Sequence, residues 1–413
     1  MANISADELA ARLLDDCLNA RPWSHSDARS LASAALSDDP RQARSAARAL
    51  FTGLIEPFAD LFDPRLAADY AAIFSVVIAR ALPSLRAPDL LARYGVVSSV
   101  RPITGEPKRV IVLSRVTLGA DISITSLFLD AAKRRFPAAG IILAGASKAW
   151  ELFERDPRLT LFAVEYGRSS TLAERLATFE PLRQLCDQPG TILLDPDSRL
   201  SQLGLLPLCP AENHFLFPSR AFGGDSLDPL PVLAARWIEQ TLGINDAQPY
   251  LHPRFNYQFG PSPAVTASFG VGGNHSKRID DLFEHDIAAH LASLPAQVFI
   301  DAGIPGSEEE ARVRAAVEAA GEQGKRIGIH TGSFASFAAM IAASSLYFGY
   351  DSAGQHVAAA MGVPVVSVFK GFANQRMLAR WTPHGPGPVT VLRADRFQDS
   401  SSLLDAAVKA LTL

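Results

Sequence analysis

The sequence predicts an α/β protein built from two Rossmann-like domains in tandem, preceded by an all-helical N-terminal domain. Three observations carry that expectation. Short apolar runs alternate with helical stretches from residue 109 to residue 242, and the alternation restarts at residue 265. Strands that alternate with helices form parallel sheets covered by those helices. Between the two series lies AQPYLHPRFNYQFGPSP, residues 247–263, whose prolines and glycine mark a linker. Ahead of residue 105 the apolar residues recur only at helical spacing. The expected domains are therefore residues 1–105, 106–250 and 260–413.

The totals agree with a soluble globular chain. Its 413 residues allow two or three domains with ample core. The hydrophobic share is 48 % and the charged share 20 %. A net charge of −4 argues against nucleic acid as the main partner, and no nucleic-acid-binding motif is present. Cys17, Cys186 and Cys209 lie far apart and form no metal-ligand pattern, so neither a metal site nor a disulfide framework is expected. The N-terminal stretch MANISADELAARLLDD is acidic and lacks a signal-peptide core, and no apolar run approaches the ~20 residues of a membrane span. The expected location is the cytoplasm, and peripheral contact with the inner membrane stays open.

In chain order, Ser5 and Glu8 form a capping box ahead of Leu9, Leu13 and Cys17, which share one helical face. Asp39–Pro40 and Asp63–Pro64 each put a cap residue before a proline at the first helical position. This region offers no catalytic cluster and reads as packed helices, with a docking or oligomerisation surface as the functional alternative. Strands are expected at 109–114, 141–144, 161–164 and 191–194, with helices at 122–136, 148–154, 171–179 and 232–242. The second series predicts strands at 265–269, 297–300, 326–329, 346–348 and 363–369. Its helices are expected at 286–294, 308–322, 333–345 and from Gln355 to Met361.

Two turns carry most of the chemistry. The turn Gly349–Gly354, GYDSAG, leads from a strand into a helix and exposes backbone N–H groups suited to a pyrophosphate. There Asp351 caps the helix or accepts from sugar hydroxyls, and His356 can donate to an anion. The glycine loop FGVGGNHSK holds Lys277, and a loop of backbone donors with a lysine can hold phosphate charge, although the loop is neither GxGxxG nor a P-loop. Asp121, between a strand and a helix, is either a general base or an N-cap. The two roles are compatible only if one carboxylate oxygen stays free. Asp195 and Asp197 end a strand and are either sugar ligands or turn residues.

Together these stretches resemble glycosyltransferase family 9, the bacterial heptosyltransferases, over about residues 109–392. RVTLGADISITSLFLDAAKRRFPAAGI is similar to the family's Leu-Gly-Asp motif, helix and Phe-Pro stop. TILLDPDSRLSQLGLLPL is similar to its mid-domain strand and loop. The glycine loop with Asn274, Ser276 and Lys277 resembles the donor-phosphate segment. DSAGQHVAAAMGVPVVSVF resembles the Asp-Ser-Gly-Pro-x-His-x-Ala-x-Ala-x-Gly-x-Pro signature, and RWTPHGPG the motif that follows it. The resemblance implies a GT-B fold and inverting transfer from a nucleotide diphosphate sugar, possible donors including ADP-heptose, with no cofactor and no metal. It casts Asp121 as base and Lys277 as phosphate ligand, and sets Asp351, Ser352, Gly354, Gln355 and His356 around the donor. Two departures stand out. Ala120 is inserted between Gly119 and Asp121, and Ala353 and Gly354 stand where the family has Gly and Pro.

The expected function is glycosyl transfer to a hydroxyl of a glycan, a lipid-linked acceptor or a protein. The inserted Ala120 and the added helices motivate a second reading, a catalytically inactive nucleotide-sugar-binding or scaffold protein. A nucleotide-sugar epimerase is a third, and it needs more than one carboxylate near the sugar.

Overall fold

The computed structural model describes residues 4–167 and 169–412, so the first three residues of the acidic N-terminal stretch lie outside the described residues. Its first part is helical: α1 (Ala6–Leu18), α2 (His25–Ala35), α3 (Pro40–Arg48), a π-helical segment (Ala49–Ile55), α4 (Glu56–Leu61), α5 (Pro64–Ala81) and α6 (Ala87–Val97). The capping box at Ser5 and Glu8 forms as expected. Asp39 and Asp63 each accept from the backbone N–H two residues on, with proline in the first turn. A proline there loses no hydrogen bond, because that N–H has no intrahelical partner.

Two parallel sheets follow. The first has the order β3-β2-β1-β4-β5. Its strands are β1 (Arg109–Leu113), β2 (Gly140–Gly145), β3 (Leu159–Ala163), β4 (Thr191–Asp195) and β5 (His214–Leu216). The covering helices include α7 (Ser126–Arg135), α8 (Leu172–Leu176), α9 (Phe179–Cys186) and α10 (Leu230–Leu242). The second sheet has the order β11-β10-β9-β6-β7-β8. Its strands are β6 (Ala264–Ser268), β7 (Gln297–Asp301), β8 (Ile327–His330), β9 (Leu346–Tyr350), β10 (Val365–Phe369) and β11 (Val389–Arg393). Around it lie α11 (Asp281–Ser293), α12 (Glu308–Ala319), α13 (Phe334–Ala342), α14 (Ala353–Ala360), α15 (Gln375–Trp381) and α16 (Ser400–Ala410).

Several expectations are corrected. The helix expected at 171–179 is two helices, α8 closing at Leu176 and α9 opening at Phe179 with Pro181 in its first turn. The strands β5 and β11 and the helices α15 and α16 were not expected. Strand β5 is only three residues long, and β11 is a half-buried edge strand without a continuous apolar run. The helical region is also not a separate body. Ile111, Leu113 and Leu193, on one face of the first sheet, share a buried cluster with Leu13, Leu50, Phe74 and Ile78. Alternate residues of β1, Val110 and Val112, point to the opposite face, as the pleat requires. Polar pins add to this seam. Tyr70 Oη donates to the Gln202 carbonyl at 3.2 Å, and Arg101 Nη2 to the His214 carbonyl at 2.7 Å. Arg93 Nη2 donates to His214 Nδ1 at 2.9 Å, which leaves the proton on Nε2 to be donated to Asp195 at 3.0 Å.

The second apolar cluster joins the two sheets' helices. Phe128, Phe217 and Trp237 of the first lobe are continuous with Phe337, Val357 and Ala358 of the second. In each sheet the strand order reverses at one place, between β1 and β4 and between β6 and β9. Ligand crevices of open α/β sheets form at the carboxyl ends of strands at such reversals. Residues 114–121 follow β1, residues 269–277 follow β6, and residues 351–354 follow β9.

Candidate active site

At the second reversal, β9 ends at Tyr350, Asp351 and Ser352 follow, and α14 begins at Ala353. The cap position belongs to Ser352, not Asp351, and the Ser352 side chain makes no capping bond. The first amide groups of α14 are therefore left for an anion. Gly354 is small for a steric reason: a Cβ there would overlap the Tyr347 hydroxyl and lie 2.6 Å from its Cζ. Asp351 is bound on both oxygens. Lys277 Nζ lies 2.5 Å from Oδ2, and Gln355 Nε2 donates to Oδ1 at 2.7 Å. Gln355 is itself held by Ser367 Oγ at 2.5 Å. This chain of bonds fixes Lys277 beside the helix start. Asn274 Oδ1 accepts from Ser276 N at 3.1 Å and from Ser276 Oγ at 2.6 Å, which shapes the loop leading to Lys277. Both residues are exposed.

His356 is buried, contrary to the open donor expected of it. Its ring meets the edge of Trp381 at 6.2 Å between centroids. A Cβ on Gly119 would lie 3.2 Å from its Cδ2 and 3.5 Å from the Ala353 Cα. The loop after β1 thus lies directly against the first turn of α14. Burial pushes the His356 imidazole down to about 4, ahead of the opposing pull of Asp351. The ring is neutral at pH 7, and Nδ1 has no partner.

Asp121 does not stand where the sequence suggested. It is no N-cap: Thr117 holds the extended position before the turn, and Asp121 opens a π-helical segment, Asp121–Thr125, that runs into α7. It is 1 % exposed. Oδ1 accepts from Arg115 N at 2.7 Å and Thr125 Oγ1 at 2.8 Å, and Oδ2 accepts from Ser114 Oγ at 2.7 Å. Burial raises its pKa against these three bonds. In this arrangement Asp121 braces the loop and has no open face. Asp195 and Asp197 are turn residues as well. Asp195 binds Ser198 N, Ser201 Oγ and His214, while Asp197, at φ 70°, takes Ser219 Oγ and Arg220.

Three residues near these turns escaped the sequence. Arg199 is half-buried, and among the described residues its guanidinium has no hydrogen bond or ion pair; burial, then Arg220, lowers its pKa. Glu309, at the start of α12, presses its carboxylate on the backbone of Gly270 and Gly303 and is likewise unpaired, with its pKa raised by burial first. Asp60, on α4, is the third. Arg199 lies in the stretch TILLDPDSRL and Asp60 and Glu309 in no motif, and only the folded chain shows where the three stand.

Comparison with known proteins follows the same division. Residues 296–385 match the model of glycosyltransferase family 9 (heptosyltransferase). A family 9 glycosyl transferase from Veillonella parvula superposes with a TM-score of 0.55 at 18 % identity, over 75 % of this chain and 97 % of that one. The E. coli heptosyltransferase WaaC with ADP gives 0.54 at 13 %, over 73 % and 98 %. The same enzyme with ADP-2-deoxy-2-fluoro heptose gives 0.52 at 15 %, over 73 % and 98 %. No curated protein matches the chain. The facing lobes have the GT-B arrangement of these structures. The match to the glycosyltransferase family 9 model is confined to residues 296–385, and what the chain shares with these structures is the two-lobed frame.

Proposed function

We propose that this protein transfers a sugar from a nucleoside diphosphate sugar to an acceptor hydroxyl, with inversion at the anomeric carbon. One observation supports the reading above the others: Lys277 is fixed beside the uncapped start of α14, at the reversal point of the second sheet. Both groups favour an anion, and together they stabilise a departing diphosphate without calling on a metal. Lys277 gives one donor to Asp351 Oδ2 and approaches the Asp351 carbonyl at 3.3 Å, so a third donor remains for phosphate. Glu309, free at the glycine loop, suits the hydroxyls of a nucleotide ribose. The WaaC structures carry ADP and an ADP-heptose analogue, which makes adenine nucleotides and ADP-heptose the first donors to test here.

The acceptor in this reading is a glycan, a lipid-linked sugar or a protein hydroxyl, reached from the first lobe. No helix of the described residues is long and apolar enough to cross a membrane. Contact with a membrane surface, and association of copies through the helical region, belong to the same proposal.

Titration calorimetry with ADP and UDP tests the donor seat. Lys277→Ala should weaken nucleotide binding about tenfold, the loss of one charge-assisted bond. Equal affinity in the two proteins removes Lys277 from the site. The burial of Asp121 favours a second reading, a nucleotide-sugar-binding protein without transfer. Tight ADP-heptose binding with no release of ADP in the presence of candidate acceptors would select it.

A further inference from the structure

We propose that Phe62, at the end of α4 in the helical region, is a positioning residue for the donor seat. It wedges the first turn of α14, and the backbone around it steadies the loop beside Lys277. The inference rests on the donor reading above and gives the helical region a part in it.

The backbone at Phe62 is unusual for its residue type. Phe62 closes α4 in the left-handed region, at φ 51° and ψ 37°. Glycine takes that conformation freely, and a bulky side chain rarely does. The phenylalanine adds a ring that glycine lacks. The ring is buried in the apolar cluster that joins the two lobes, whereas Phe58 of the same helix lies in the cluster against the first sheet. The turn is held from the second lobe. Asn374 Nδ2 donates to the Leu61 carbonyl at 3.2 Å, and Arg376 Nη1 to the Phe62 carbonyl at 2.8 Å.

Two routes lead from this point to the donor seat. The first is a row of rings. Phe62 meets Trp381 of α15 edge-on at 6.3 Å between centroids, and Trp381 meets His356 at 6.2 Å. His356 belongs to the first turn of α14 and is 5 % exposed. The loop at Gly119 closes on the same imidazole, since a Cβ there would come within 3.2 Å of its Cδ2. The imidazole is therefore confined between that loop and Trp381, and Trp381 is backed by Phe62. Interiors are packed as densely as organic crystals, so a shift of one ring is felt by the next.

The second route is backbone. Asn374 caps α15, its Oδ1 accepting from Met377 N at 2.7 Å, and ends the loop that follows β10. Gly371 of that loop, at φ 70°, lies against Ser276: a Cβ there would be 2.6 Å from Ser276 Oγ and 2.7 Å from its carbonyl oxygen. Ser276 precedes Lys277, whose Nζ meets Asp351 ahead of α14. Helix α15 is fixed in turn to the first lobe, where Arg380 donates to the carbonyls of Asp228 at 2.8 Å and Gly224 at 3.0 Å. The end of α4 thus bears on α14 and on the Lys277 loop together.

Phe62→Leu keeps an apolar side chain in the seam and removes the edge that meets Trp381. Phe58→Leu is the control. Phe58 is as buried as Phe62, at 3 % exposure, and lines a small cavity with Asp197, Pro218 and Arg220 of the first lobe. Both variants should melt somewhat below wild type. Titration calorimetry with ADP and UDP separates them. Phe62→Leu should bind the preferred nucleotide about fivefold more weakly, the low end of ordinary coupling between sites, and Phe58→Leu should bind it as wild type does. Coupling is reciprocal, so bound nucleotide should slow amide hydrogen exchange at residues 58–62 and 371–374 of the wild-type protein. That slowing should be lost in Phe62→Leu. Unchanged nucleotide affinity in Phe62→Leu overturns the proposal. An equal loss in Phe58→Leu overturns it too, as general loosening, and so does wild-type exchange at residues 58–62 that ignores the nucleotide. Wild-type protein that binds neither ADP nor UDP overturns the donor reading and this inference with it. Binding by wild type distinguishes that result from a failure of Phe62 alone.

Discussion

Asp121 and His356 show how burial changes the meaning of a residue type. Asp121→Asn keeps the shape but puts an amide where Ser114, Thr125 and the Arg115 N–H all donate. Bonds to a buried charged acceptor are each worth about 1.5–3 kcal/mol, so a loss of about 2–3 kcal/mol of stability is expected, read as a lower midpoint in urea. His356 carries a pH dependence. Its pKa falls from 6.5 in the unfolded chain to about 4 in the folded one. The associated stability is present above pH 6.5 and is lost as pH falls through 4, about 3 kcal/mol in all. His356→Gln should flatten the slope of melting temperature against pH over that interval, and an unchanged slope would show that other groups govern it.

At the scale of elements, the strand-to-helix unit from β9 to α14 depends on the absence of a side chain at Gly354. Gly354→Ala would drive a methyl into the buried Tyr347 ring, an overpacking that costs about 1–3 kcal/mol. Adding Tyr347→Phe should recover part of that loss, because the hydroxyl is the nearest obstacle. Thermal melts of the single and double variants decide it, and strict additivity of their effects would refute the contact. Most elements here were legible from sequence. Five-residue strands such as β4, β6, β9 and β10 are buried throughout and mostly apolar, and helices such as α3 and α5 announce themselves by Asp-Pro. Strands β5 and β11 were not legible, because one is too short and the other too exposed to leave a pattern. The site divided in the same way. The turn ahead of α14 and Lys277 lie within short motifs. Asp60, Arg199 and Glu309 are scattered, and the bonds that bury Asp121 come from side chains whose partners periodicity cannot assign.

Across the whole molecule, the helical region and the first sheet are one body. Ile111, Leu113, Ala144 and Leu193 are buried against helices α1 to α5 and their neighbours. Removing residues 1–105 would bare that face to water, at roughly 25 cal/mol for each Å² of apolar surface. A chain starting at residue 106 should therefore be insoluble or molten, seen as lost near-ultraviolet dichroism or bound hydrophobic dye. A monomeric, cooperatively melting 106–413 fragment would show the helices to be dispensable padding. The lobes are joined with equal economy. Arg380 donates from α15 to the carbonyls of Gly224 and Asp228, while Arg376 reaches the Phe62 carbonyl and Asp225. Sequence could reveal the linker and the two halves, but not that one arginine-bearing helix gathers all three parts.

The wide turn at Asp121–Thr125 has a consequence for the helix that follows it. An extra residue in an ordinary helix rotates everything beyond it by about 100°. A single π turn absorbs the surplus, so Phe128 and its neighbours keep their places in the core. Ala120 thus lies where a change of one residue in length stays local, just ahead of the wide turn that Asp121 opens. Removing Ala120 should narrow that turn to an ordinary helical one and leave the core packing of Phe128 in place, which near-ultraviolet dichroism and a thermal melt would check.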